Sequence, residues 1–303
     1  MFNLVKKLFY SKRKKTVCIC GNCVTGVIPD FLQTSNWFNK HFECKKLTPI
    51  YLLNTKQDID DFKKSVSMCD VFLTQPIGGE KYKNMGIDTE SIKKILKPKA
   101  KFFAIPTPYF IGYFPEQMYL HDSNGIMIGE CEGLPMPYHN KIILYGYVHK
   151  LSPEKTFDLL YGEQNTQKIK KLVQESIMEL KRREQGLSFT ISDFIEQNFR
   201  KTRLFWSLNH PTNVLICYIC EQILKLLSDG AANDIKNIPN EFLNSYVTPI
   251  LPGVEKALNF EITSDCDNTR WTLDLVKDTY AYYDKHPELV ESNTKFIEDM
   301  WVK

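Results

Sequence analysis

Four short apolar runs alternate with segments of helical spacing in the first third of the chain, and this alternation constrains the fold more than any other feature. The runs are Thr16–Cys20, Leu47–Leu53, Asp70–Gln75 and Lys101–Ile105. Each is too short for a buried helix and reads as a strand. Asp58–Ser67 repeats apolar residues at Ile59, Phe62 and Val66, and Thr89–Leu96 is a second helical segment. Ile28–Phe38 reads as irregular or helical. Pro49 places the second run at an edge or bend, while Pro76 and Gly78-Gly79 end the third. Strand–helix alternation predicts a parallel sheet, because parallel neighbours need a crossover.

The remainder has another texture. Residues 106–150 are rich in Pro, Gly and Tyr, and a loop region of this length is usually functional. Ser152-Pro153-Glu154 reads as a helix N-cap with Pro in the first turn. Helical spacing runs through 153–184, with a break near Gly162, and recurs over Ile191–Phe199 and Asn213–Leu227. Residues 228–260 read as loop, and a last helix is expected over Trp271–Tyr283. The expected fold class is α/β: an N-terminal parallel doubly wound sheet followed by a mostly helical C-terminal half. Three segments are drawn: a basic extension at 1–15, an α/β domain at 16–150 and a helical region at 151–303.

The chain of 303 residues, 43% apolar and 25% charged, is of ordinary globular composition. Its net charge of +3 is uneven: Lys6, Lys7, Lys12, Arg13, Lys14 and Lys15 give residues 1–15 a charge of +6, which leaves −3 for the rest. Met1, Phe2, Leu4, Val5, Leu8 and Phe9 share one helical arc, which suits a peripheral helix on an anionic membrane surface as well as it suits a solvated terminus. Charge gathered at one end, not over a face, argues against nucleic acid. The apolar run after the basic segment is too short for a signal peptide, and no run is long enough to span a membrane. Nine cysteines without a disulfide framework point to a reducing, cytoplasmic compartment. Cys18, Cys20 and Cys23, and the Cys217/Cys220 pair, lie in a strand and a helix rather than on knuckle turns, so no metal is expected.

Four places carry chemistry. The first strand stops at Gly21-Asn22-Cys23, where ligands of open α/β sheets bind. Cys18 and Cys20 read as core, but Cys23 would sit at a helix start, near unpaired N–H groups that stabilise a thiolate or an anion. Gln75 ends another strand and suits an oxyanion or a sugar hydroxyl, although a turn amide bonded to backbone is the commoner role of a lone Gln. From Asn198 to Thr212, Arg200, Lys201 and Arg203 suit phosphate, and Asn209-His210-Pro211-Thr212 holds a histidine on a fixed turn, as a general base requires. Tyr109 and Tyr113, in the loop Pro106–Pro115, could platform an adenine or a sugar ring, or simply pack beneath the loop. His121, His139 and His149 show no ligand spacing.

In this order, Gly21-Asn22-Cys23, Gln75-Pro76-Ile77, the stretch Pro108–Pro115 and Asn209-His210-Pro211-Thr212 resemble the WcbI-type capsular polysaccharide biosynthesis proteins. The similarity spans roughly residues 16–215. That family carries Gln after Gly-Asn-Cys, where this chain has Val24. The resemblance implies binding of coenzyme A or acetyl-CoA and acetylation of a sugar or sugar-nucleotide acceptor. On that reading His210 acts as base, either directly on the sugar or on a Cys23 that accepts the acyl group. Asn22 and Gln75 hold the oxyanion. Gly21, Asn209, Tyr109 and Tyr113, with the three cations Arg200, Lys201 and Arg203, contact the coenzyme. A Cys-dependent esterase-like hydrolase and a non-catalytic scaffold of a membrane-associated assembly are the competing readings.

Overall fold

The computed structural model describes residues 13–125, 127–128, 138–261 and 271–302. The expected membrane-facing arc of the N-terminus therefore lies outside the described residues. In chain order the elements are β1 (Lys15–Cys20), α1 (Cys23–Leu32), α2 (Asn36–His41), β2 (Phe42–Lys45), α3 (Lys56–Met68), β3 (Val71–Thr74), α4 (Glu80–Met85), α5 (Thr89–Ile95) and β4 (Lys101–Ala104). Helices follow at α6 (Lys141–Val148), α7 (Pro153–Tyr161), α8 (Thr166–Arg183), α9 (Ser192–Asn198), α10 (Asn213–Ser228), α11 (Pro252–Leu258), α12 (Leu273–Lys285) and α13 (Pro287–Asn293). The chain divides into two compact units: Met1–Pro108 with Glu184–Ile191 and Asn213–Phe242, and Tyr109–Arg183 with Ser192–Thr212 and Leu243–Lys303. Neither unit is contiguous along the chain. Among the described residues no helix is long and apolar enough to cross a membrane.

The first unit is built on a four-stranded sheet of order β2-β1-β3-β4. All three pairings are parallel. From β1 the chain crosses one way to β2 and then the other way to β3. The point where the order reverses lies between β1 and β3, and in such sheets the ligand crevice opens there. Local chemistry sets the elements. Thr55 and Asp58 form a reciprocal capping box that starts α3: Thr55 Oγ1 accepts from Asp58 N at 3.1 Å, and Asp58 Oδ2 accepts from Thr55 N at 3.0 Å. Strand alternation sends Cys18 and Cys20 to the face packed with Phe62 and Val66 from α3, Cys69 just after it, Phe72 from β3 and Ile92 from α5, the core role expected of both cysteines. Elsewhere in the unit α1 packs on α10, with Ile28 and Phe31 fully buried. Each such burial contributes about 1.5–3 kcal/mol. Beyond β4, Ser188 N donates to Ala104 O at 2.8 Å and extends the edge.

One strand differs from expectation. Leu47–Leu53 is not a strand: Ile50–Leu52 forms a 3-10 turn, and the second strand is Phe42–Lys45, directly after α2. Pro49 explains this, because it has no N–H for a ladder.

The second unit is mainly helical, with short antiparallel pairs. One joins Gln117–Met118 to His139–Asn140 and another joins Phe205–Ser207 to His210–Pro211. Ser152 caps α7 with Pro153 at its start, as expected, and Gly162 separates α7 from α8. Helix α11 falls in a stretch read as loop. Its opening Pro252-Gly253 looks like a turn, but Gly253 lets it pack on Gln164, whose Cδ would lie 2.6 Å from an added Cβ.

Candidate active site

Gly21, Asn22, Cys23 and Gln75 converge in the first unit, at the β1/β3 end of the sheet where the order reverses. Gln75 follows β3 and continues its ladder, with its N donating to Cys20 O at 3.1 Å. Its side chain is 4% exposed and turns toward the β1–α1 connection. Asn22 N donates to Gln75 Oε1 at 2.8 Å. An N–H must meet an acceptor, so this bond fixes which way the amide points. The Gln75 Nε2 donor is left buried and without a partner among the described residues. An unmade bond of this kind costs about 1–3 kcal/mol, so a buried donor left free calls for an explanation.

Gly21 makes this approach possible. Its φ is +157°, and a Cβ there would lie 2.3 Å from Gln75 Oε1 and 2.7 Å from Thr25 Cγ2. Asn22 is the N-cap of α1: its Oδ1 accepts from Val24 N at 3.0 Å. Cys23 is the first residue of α1 and is half-buried. Burial pushes its thiol up, against the lowering pull of the Val24 N–H and its own N–H. The expected pull of the helix start is therefore present, but desolvation outweighs it and the thiol stays protonated at neutral pH.

Tyr51 belongs to the same end of the sheet and was not singled out from sequence. It stands on the turn after β2, is 48% exposed, and its hydroxyl is raised by burial and by the nearby Cys23. Its signal was hidden inside a run that resembled a strand.

The second group of expected residues lies in the second unit. His210 is half-buried on the short strand His210–Pro211, and its Nδ1 is buried without a partner among the described residues. Burial lowers its pKa from the usual 6.5, so the ring is neutral at pH 7 and able to accept a proton. Asn209 is held from both ends: Tyr138 donates to its Oδ1 at 2.6 Å, and its Nδ2 donates to Tyr119 at 2.9 Å. Its amide therefore fixes the turn before His210. Gln117 does the same from beneath, with Leu208 N donating to its Oε1 at 3.1 Å and its Nε2 donating to Thr248 Oγ1 at 2.7 Å.

The three cations differ from one another. Arg203 is tied inward: Nε donates to Phe205 O at 3.0 Å and Nη2 to Thr248 O at 2.5 Å, and the guanidinium lies over the rings of Phe114 and Trp206. Arg200 is exposed, but its Nε donates to Leu258 O at 3.1 Å. Lys201 is exposed. Only part of the expected phosphate charge is thus free to face a ligand.

Tyr113 turns inward. It is fully buried, its hydroxyl donates to Phe199 O at 2.6 Å, and its ring sits 5.3 Å from Phe110. It braces the loop from inside. Tyr109 is half-buried and lines a cleft against α8. Among the described residues no group of three His, Cys, Asp or Glu could hold a metal ion.

A model of the family described as "Polysaccharide biosynthesis enzyme WcbI" matches residues 16–229 of the chain. No curated protein matches it. A solved structure is similar over 95% of this chain and 100% of its own, with a TM-score of 0.69 and 17% identity. It is described as WcbI, a novel polysaccharide biosynthesis enzyme, in a native form without a disulfide bond between coenzyme A and one of its cysteines. At that identity the likeness is one of fold.

Proposed function

The chain belongs to the WcbI family of polysaccharide biosynthesis enzymes, and from that premise we propose that it transfers an acyl group, acetyl in the first instance, from coenzyme A to a hydroxyl of a capsular or surface polysaccharide precursor. The observation that carries this reading is the Gln75 Nε2 donor, buried and without a partner among the described residues, on an amide held by the Gly21-Asn22 turn. A donor fixed in advance, in a dry site at a sheet reversal, is suited to an oxygen that gains charge during reaction. The coenzyme A in the description of the structural relative supports the choice of donor.

The acyl-coenzyme supplies an activated thioester carbonyl. In the proposed reaction the part of base falls to His210 on the strength of the motif order shared with the family: it takes the proton of the acceptor hydroxyl as that oxygen bonds to the carbonyl carbon. Gln75 Nε2 and the Asn22 side chain hold the oxygen that takes up the electron pair. When the carbonyl re-forms, the carbon–sulfur bond breaks, and His210 returns the proton to the departing thiolate. Positioned base catalysis of this kind contributes about 10²–10⁴-fold. Direct attack needs one proton transfer to His210, whereas a route through Cys23 first needs a base to take the proton of a thiol that burial holds in its neutral form. On this reading Cys23 lines the thioester site, and the exposed Lys201 and Arg200 supply charge for phosphates.

The experiment is an acyl-transfer assay on the full chain with acetyl-CoA and a panel of sugars and sugar nucleotides, reading coenzyme thiol release and product mass. Cys23→Ala is expected to keep turnover, and His210→Gln to reduce it by about 10²-fold or more. Loss of all turnover in Cys23→Ala, with an acyl group found on Cys23 in the parent protein, would reverse the choice of route. Acetate release that needs no acceptor would make the protein a hydrolase.

A further inference from the structure

The loop that packs Tyr113 inward leaves Tyr109 facing a cleft of about 220 Å³ in the second unit. One wall is a stripe of α8, in which Ser176, Leu180 and Arg183 recur at helical spacing. The other is Tyr109 and Ile111. Ile111 N donates to Ser176 Oγ at 3.2 Å, pinning loop to helix at the floor. Ser176 and Leu180 are 8% and 2% exposed, so the floor is built and not an accident of surface side chains. The walls are almost wholly carbon. Charge appears at the rim, where the Arg183 guanidinium sits 5.3 Å from the Tyr109 ring centroid and its Nε donates to Glu179 Oε1 at 2.7 Å. Arg182 makes two further bonds to Glu179, both 2.7 Å, so the rim carboxylate is fixed between two guanidiniums.

This combination selects a kind of ligand. Whole ligands fill about 300–1,000 Å³, so the cleft holds one ring system and not a complete coenzyme. A sugar needs donors and acceptors along the walls, and these walls offer few. A plain hydrocarbon chain gains nothing from an ordered guanidinium–carboxylate rim. A flat ring with apolar faces and polar edges matches both parts: its face meets Tyr109, Ile111 and Leu180, and its edge meets Glu179 and Arg183.

We propose that this cleft is a nucleobase site, with Tyr109 as the stacking platform and Arg183 as its lid. The base belongs to a substrate of the proposed acyl transfer, and in that respect the inference rests on that reading. Two sources share the chemistry: the adenosine end of coenzyme A, and the nucleoside of an activated sugar.

The test is isothermal titration of the full chain with coenzyme A, with 4′-phosphopantetheine (the same arm without its base), and with a series of nucleoside diphosphates. Each is repeated on Tyr109→Ala and Tyr109→Phe. If the base is that of the coenzyme, Tyr109→Ala weakens coenzyme A by about tenfold or more, in line with base–aromatic stacking, and leaves phosphopantetheine unchanged. Tyr109→Phe, which keeps the ring, binds as the parent does and controls for folding. If the base is that of an activated sugar, the same loss appears for a nucleoside diphosphate and not for coenzyme A. Coenzyme A binding that Tyr109→Ala leaves unchanged, with nucleoside diphosphates also unaffected, overturns the cleft assignment while the acyl-transfer reading stands. Nucleoside diphosphate binding that depends on Tyr109, in a protein that binds no coenzyme A, keeps the cleft and removes the acyl-CoA reading. A protein that binds none of these ligands overturns both.

Discussion

At the scale of single residues, two buried groups carry consequences that can be measured. Gln75→Leu keeps most of the volume and removes both the Asn22 tether and the free Nε2 donor. If that donor holds the reacting oxygen, the variant loses about 10²–10³-fold in kcat with the fold retained, as judged by circular dichroism. Retention of full kcat would make the amide a turn-holding group only. Glu116 is the other. It is fully buried, both its oxygens lack partners among the described residues, and burial pushes its carboxyl up from 4.5 to about 8, against the pull of its own N–H and Lys141. Between those two values the folded protein holds a proton that the unfolded chain has released. Stability therefore falls as pH rises through that window and levels off above it. Urea unfolding across the window is expected to show this decline in the parent and a flatter profile in Glu116→Gln, which stays neutral at every pH.

At the scale of elements, the β1–α1 turn is where sequence and structure agree most closely. The Gly21-Asn22-Cys23 step announces a strand end and a helix start, and both are found there, with Asn22 as the N-cap that the structure adds. Its tightness could not be seen, because Gln75, 53 positions beyond Asn22, supplies the carboxamide that a Cβ at position 21 would strike. Gly21→Ala is therefore expected to destabilise by about 1–3 kcal/mol and to displace Gln75, with loss of activity beyond what the change in denaturation midpoint accounts for. The parallel sheet, its third and fourth strands and the capped α7 were legible for local reasons: short apolar runs, breakers and caps act within a few residues. The second strand was misplaced because Leu47–Leu53 is the more apolar run, whereas Phe42–Lys45 alternates and follows α2 with no turn residue between them. The aromatic loop was half legible. Its composition marks it as unusual, but only packing decides that Tyr113 turns in and Tyr109 lines a cleft. The fate of Arg203 was hidden for the same reason, since its partners are backbone carbonyls that no sequence motif announces.

At the scale of the whole molecule, the units are interleaved along the chain. The sheet is complete by Ala104, yet α10, which packs on α1, lies far downstream within the same unit. A fragment of residues 13–108 is therefore expected to be compact but loosely packed, with helical circular dichroism and poor dispersion of its amide resonances. Adding back residues 213–242 as a separate peptide should restore dispersion, and a fragment that is well ordered by itself would contradict this account. The same arrangement bears on synthesis. A ribosome adding roughly 5–20 residues per second needs on the order of ten seconds to pass from β4 to the end of α10. Through that interval the apolar side of α1 waits uncovered in a nascent chain, so the hazard for this protein lies in the timing of its birth more than in the finished fold, and chaperone capture is expected to fall between those two points of elongation.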